Sequence, residues 1–149
     1  MAAMRYYFAY GSNMDEKQMT SRCLGSQLVG RARLLARSFL INERGVASVI
    51  PAQNGVTHGL LWTLTLTDEE ALDRYEGMAG GHYLKKVVAV HPVDSSEVVE
   101  ALIYVASNYR PGAPRPGYIE KIIHAACEHG FPHEYVAELE SWMSKGHDS

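Results

Sequence analysis

The sequence predicts an α+β fold: a curved, mostly antiparallel sheet or barrel, with one short inserted helix and a C-terminal helical pair. Three observations predict it. Strand-like runs follow one another from Arg5 to Ala106. A helix-capping signature interrupts them once, at Thr67–Glu70. An apolar stripe at helical spacing begins only after Tyr118. The chain has 149 residues, 46% of them hydrophobic, which suits a single domain over 1–149 with a core of its own.

The composition excludes several classes. Fourteen Lys and Arg against 17 Asp and Glu leave a formal charge of −3, and this balance argues against a nucleic-acid partner. No apolar run approaches the length of a membrane span, so no membrane partner is expected. The start, Met1 to Phe8, lacks the regions of a signal peptide. Two cysteines, Cys23 and Cys127, form no framework and no CxxC pair. A reduced, cytoplasmic setting is the expectation.

The elements follow in order. Arg5–Ala9 is aromatic-rich and reads as a strand. Tyr10-Gly11-Ser12-Asn13 is a turn, and Asp15 to Arg22 a short helix. Leu28 to Leu40 is a long extended run, with Arg31 and Arg33 on one face. Asn42-Glu43-Arg44-Gly45 turns the chain into a strand over Val46–Ile50. Asn54-Gly55 signals a hairpin before a further strand, Val56 to Leu66, whose segment Gly59-Leu60-Leu61-Trp62 reads as buried. Thr67 caps a helix with Glu70 completing a capping box, and that helix ends near Glu76-Gly77. Tyr83–His91 and Val98–Ala106 are a strand pair, and the proline- and glycine-rich residues 107–117 are a loop. Ile119, Ile122, Ile123 and Ala126 make one apolar helical stripe. Gly130 stops that helix and Pro132 opens the next, with Tyr135, Leu139 and Trp142 on its buried side.

Among the seven histidines no metal-ligand spacing stands out. His129 and His133 are four apart, but Gly130 and Pro132 interrupt the helix that would align them. Gly11-Ser12-Asn13 is not a nucleophile elbow. Arg31, Arg33, Arg37 and Arg44 read first as a solvated strand face and second as a steering field for an anion. Two places carry more chemistry. The Tyr10–Asn13 turn is either ordinary turn chemistry or a nest of N–H groups for an anion. Glu76 is either a solvated acid at a helix end or an acid with a raised pKa, bordered by Leu72 at i−4 and by the like charges Asp73 and Glu69.

Together these segments resemble the γ-glutamylcyclotransferase family. The resemblance runs from about Tyr6 to Leu139. It is carried by Tyr7-Phe8-Ala9-Tyr10-Gly11-Ser12-Asn13-Met14, by Gly45-Val46-Ala47-Ser48-Val49-Ile50 with Gly59-Leu60-Leu61-Trp62, and by Leu72-Asp73-Arg74-Tyr75-Glu76-Gly77 followed by Tyr83. Tyr104, the Asn108-Tyr109 loop, Tyr118 to Ile123 and Gly130 to Tyr135 extend it. The resemblance implies a small mixed, mostly antiparallel β-barrel flanked by helices, with no metal and no cofactor. It implies that a γ-glutamyl amide becomes 5-oxoproline and a free amine, with Glu76 as the catalytic acid and base. It implies that Tyr10, Gly11, Ser12 and Asn13 bind the γ-glutamyl head, with Tyr83, Tyr104 and Tyr118 near the same cavity. The expected partner is a small γ-glutamyl molecule, for a monomer or homodimer. Residues 51–58 and Met78–His82 match no one subfamily, so the leaving amine stays open between an amino acid, an ε-lysine isopeptide and a natural-product intermediate. A non-catalytic binding module and a hydrolase or transferase of the same amide are the competing readings.

Overall fold

The computed structural model describes residues 4–77 and 80–143. Five strands close into a barrel: β1 (Arg5–Ala9), β2 (Gln27–Ile41), β3 (Ala47–Leu64), β4 (Tyr83–Pro92) and β5 (Val99–Ala106). Their order around the barrel is β1-β3-β2-β4-β5. Four neighbouring pairs are antiparallel, and β1 closes the barrel by pairing parallel to β5 at Tyr6↔Ala101 and Tyr7↔Leu102. The expected mixed, mostly antiparallel barrel is what forms. The helices are α1 (Glu16–Arg22), α2 (Leu66–Tyr75), α3 (Tyr118–Glu128) and α4 (His133–Glu140). Among the described residues no helix is long and apolar enough to cross a membrane.

The elements form where local chemistry and burial agree. Phe8, Leu60, Leu61 and Trp62 are each at most 1% exposed, so β3 is covered on both of its faces there. The stripe Ile119, Ile122 and Ala126 is fully buried, as are Tyr135 and Leu139 on α4. Gly130 ends the α3 region with φ +70°, a backbone that favours glycine.

Two local readings are corrected. The Asn54-Gly55 hairpin does not form. Most of the two expected strands, Ala47–Ile50 and Val56–Leu64, belongs to one 18-residue strand, β3, running beside the 15-residue β2, whereas Leu66 opens α2. The register passes from Leu35↔Val56 to Arg37↔Pro51, so the extra residues around Asn54 are absorbed as a bulge opposite Ala36, whose φ is +61°. Gly55 serves close approach rather than a turn, since a Cβ there would lie 2.5 Å from Ser38 Oγ and 2.7 Å from the Arg37 carbonyl oxygen. The second correction concerns α2. Its N-cap is Thr65, and the box is closed by Asp68, two residues earlier than Thr67 and Glu70. Thr65 Oγ1 accepts from the Asp68 N–H at 3.1 Å, and Asp68 Oδ2 accepts from the Thr65 N–H at 3.0 Å. The earlier box wins because Asp68 also accepts from the Gly25 N–H at 3.1 Å, which anchors the helix start to the chain after α1.

Candidate active site

Several element ends meet at one cavity. The C-terminal end of β1 delivers Tyr10 and Gly11, followed by a single 3-10 turn, Ser12–Met14. β3 begins at Ala47, β4 begins at Tyr83, and α3 begins at Tyr118. α2 ends on its C-cap residue Glu76. The cavity is narrow, about 40 Å³, and its wall contains Tyr10, Gly11, Ser12, Asn13, Glu76, Tyr83, Tyr104 and Tyr118. The residues expected for catalysis and for the γ-glutamyl head, Glu76, Tyr10 to Asn13, Tyr83, Tyr104 and Tyr118, are thus brought to one place, whereas the arginine series on and after β2 is not part of this wall. Tyr7 and Ala47 complete the wall and were missed. Both lie in segments that carry the family resemblance, but Tyr7 reads there as part of an aromatic strand and Ala47 as a small strand residue, with no site signal of their own.

The Gly11–Asn13 turn is braced from behind. Its two backbone bonds use the N–H groups of Met14, to Gly11 O, and Asp15, to Ser12 O. The N–H groups of Ser12 and Asn13 take part in neither. Gln18 on α1 donates through Nε2 to Ser12 Oγ at 2.9 Å and to Asn13 Oδ1 at 3.1 Å. Arg22 donates to the same Asn13 oxygen at 3.0 Å, and Asn13 Nδ2 donates to the Tyr7 hydroxyl at 3.1 Å. Lys121 in turn donates to the Gln18 oxygen. A buried asparagine held on three sides presents one fixed orientation to a ligand.

The tyrosines are fixed as well. The Tyr118 hydroxyl accepts from the Ala47 N–H at 3.0 Å, and the Tyr83 hydroxyl donates to the Ala47 carbonyl at 3.1 Å. Tyr10 donates to the Tyr104 carbonyl, and Tyr104 donates to Asp73 Oδ1 at 2.6 Å. Burial holds the hydroxyls of Tyr7, Tyr10, Tyr83 and Tyr104 well above the usual phenol range and pushes Tyr118 up to about 12. All five are neutral at physiological pH.

Glu76 is the acid on this wall. Burial pushes its carboxyl up to about 7, while the nearby Arg22 guanidinium pulls the other way. The direction expected from the sequence is present, but one of its two expected causes is not. Asp73 and Glu69 do not raise Glu76. Both are held by Lys85, at 3.0 Å and 2.7 Å, and Glu69 also pairs with Arg5 at 3.3 Å. Cations on the neighbouring strands neutralise these acids on the helix, and desolvation is left to raise Glu76 against the pull of Arg22. Among the described residues no group of three His, Cys, Asp or Glu side chains is arranged to hold a metal ion. His129 instead pairs with Glu16 at 3.3 Å.

Barrel and cavity together define a class: a small α+β barrel with a narrow pocket that brings one desolvated carboxyl among neutral, fixed tyrosines. The chain belongs to the AIG2-like family, whose model matches residues 57–139. It is 27% identical over 147 residues to gamma-glutamylcyclotransferase of Bos taurus and, equally, of Mus musculus, an alignment that covers 91% of this chain and 77% of each relative. A solved structure of a gamma-glutamyl cyclotransferase superposes with a TM-score of 0.86 at 25% identity, covering 94% of this chain and 88% of that one. The resemblance read from the motifs is therefore borne out over nearly the whole chain.

Proposed function

We propose that the protein is a cyclotransferase that converts a γ-glutamyl amide into 5-oxoproline and a free amine, acting as a single domain on a small molecule. The observation that carries this reading is the presence, in one cavity, of a carboxyl with a pKa of about 7 and the Gly11–Asn13 turn. The names of its relatives support the same reaction.

The chemistry suits these residues. The substrate's α-amine attacks its own γ-carbonyl carbon, a new C–N bond closes a five-membered ring, and the original amide C–N bond breaks. Attack within one molecule needs no enzyme nucleophile. It does need proton traffic, because the α-amine begins as ammonium and the departing nitrogen must gain a proton. Glu76 takes one proton from the ammonium and gives it to the leaving nitrogen, and the ring nitrogen loses its second proton after attack; both protons depart on the released amine, which leaves as ammonium, so the carboxylate is restored each turn. A pKa near 7 allows both transfers. Ser12 and Asn13 N–H groups offer donors for the α-carboxylate or the oxyanion that forms at the γ-carbon. Tyr7 and Tyr118, whose hydroxyls accept bonds from Asn13 and Ala47, keep an O–H to donate, and the tyrosine rings give a wall that keeps water from the carbonyl.

The test is incubation with a panel of γ-glutamyl amino acids and amines, with product mass as readout. Release of 5-oxoproline supports the reading. Glutamate, heavier by one water, would make the protein a hydrolase, and no product from any member would remove the proposed reaction.

A further inference from the structure

The Glu76 cavity opens into a wider outer chamber, and Ser12, Glu76, Tyr83 and Tyr118 lie on the wall of both. The chamber's remaining wall includes Arg22, Arg44, Arg115 and His82. Glu76 is the single acidic residue on it. The ion pairs among the described residues lie elsewhere, and none includes these three arginines. Their fields reach the site nonetheless: Arg22 acts on Glu76, Arg44 on Tyr83 and Arg115 on Tyr118.

The three arginines are not equivalent. Arg22 is engaged, with Asn13 Oδ1 at 3.0 Å and the Tyr75 ring 4.5 Å beneath its guanidinium. Arg44 and Arg115 belong to the outer rim. Arg115 Nε donates to the Arg44 carbonyl at 2.8 Å, and the Arg115 N–H donates to the Gly45 carbonyl at 3.1 Å. These bonds tie the 107–117 loop to the β2–β3 turn and keep both arginines on one rim. Cations gathered without carboxylate partners in a concave wall favour an anionic ligand.

Resting on the reaction proposed above, the geometry points to the outer chamber as a subsite for a carboxylate on the leaving amine, with Arg44 and Arg115 as specificity-determining residues. The γ-glutamyl head fills the inner cavity beside Glu76, so the departing half extends outward past the arginine rim. A leaving group with a free carboxylate, an amino acid or a peptide, meets opposite charge there. A simple alkylamine gains nothing from the rim, and a polycation is repelled by it.

Paired substrates of equal size test this: γ-glutamylalanine and γ-glutamylalaninamide, which differ in the terminal charge. The acid is expected to exceed the amide in kcat/KM by about tenfold or more, as charge-assisted guanidinium contacts allow. Arg44→Gln and Arg115→Gln should each shrink that ratio, and the Lys variants should restore part of it. Added salt should shrink it in the parent protein. A parent ratio near one overturns the assignment. So does an equal loss on both substrates in the Gln variants, which would put the arginines on the γ-glutamyl half or in the fold. If neither substrate yields 5-oxoproline, the reaction itself is wrong. Calorimetric binding then decides the subsite: preference for the acid, lost in Arg44→Gln, sustains it, and equal binding of acid and amide removes it.

Discussion

The Tyr104 hydroxyl donates to Asp73 Oδ1 at 2.6 Å, so the carboxylate three residues before Glu76 is committed to a different partner. Lys85 Nζ contacts both oxygens of the same carboxylate, at 3.1 Å and 3.0 Å. This arrangement separates two acids on adjoining turns of chain: one is neutralised in a surface network, the other is desolvated at the cavity. Asp73→Asn is therefore expected to leave the pH dependence of turnover where it was. It should lower stability by about 1–2 kcal/mol, the worth of a part-buried bond to a charged acceptor. A pH–rate profile and a denaturant titration check both halves. Movement of the acid limb to lower pH would mean that Asp73 repels Glu76 after all.

Glu76→Gln should keep the barrel and lose about 10²–10⁴-fold or more in 5-oxoproline release. In the parent protein the reactive form is the carboxylate, so kcat/KM should rise with pH through about 7. Arg22 pulls that value down, so Arg22→Gln should move the limb to higher pH. Stability carries the opposite sign. The folded pKa is raised, so the stabilising contribution is present below the ordinary 4.5 and is lost as pH rises to about 7. The variant should lack this slope, a difference of about 1–2 kcal/mol after allowance for solvent screening of a part-exposed group. Parallel denaturation curves of the two proteins across this window would contradict the assigned environment.

What was legible in the sequence follows from the range of the forces. The apolar stripe of α3, the Gly130 stop and the strand pair Tyr83–His91 with Val98–Ala106 are local patterns, and each appears with nearly its expected bounds. Thr65 and Thr67 each begin a plausible capping box, and the choice between them was made by Gly25, 43 residues before Asp68. Glu76 shows the same limit from another side. Its neighbours along the helix were visible in the sequence, but the lysine that neutralises Asp73 and Glu69 comes from β4. The convergence of Tyr83, Tyr104 and Tyr118 depends on barrel closure, and it was reached through family resemblance alone. Of Arg31, Arg33, Arg37 and Arg44, Arg44 alone lines either of the two site cavities, which periodicity had no means to single out.

Gly11 sets the width of the inner cavity. A Cβ built there would lie 3.4 Å from both Ala47 Cβ and the Tyr118 hydroxyl, in ordinary van der Waals contact. Gly11→Ala should therefore fold and bind γ-glutamyl compounds more weakly, through lost space. Gly11→Val adds two methyl groups to a wall already in contact, so its KM should rise further and its stability should fall by about 1–3 kcal/mol. Unchanged KM in both variants, measured on one γ-glutamyl substrate, would detach the turn from the head group.

The long β3 strand makes a last, opposite pair of predictions at Asn54 and Gly55. In the type I′ hairpin that Asn-Gly favours, both residues need positive φ, and replacing either one is costly. Here Gly55 is not among the residues with positive φ. Its Cβ position instead runs into the neighbouring strand, 2.7 Å from the Arg37 carbonyl oxygen and 2.8 Å from its carbon. Thr57 Oγ1, two residues on, donates to that same carbonyl at 3.0 Å, so the backbone at Arg37 has little freedom to retreat. Asn54 is exposed and makes no such approach. Gly55→Ala should cost about 1–3 kcal/mol by overpacking, whereas Asn54→Ala should stay within about 0.5 kcal/mol, as surface substitutions do. Chemical denaturation of the two variants distinguishes the cases, because comparable losses at both positions are what a turn would give.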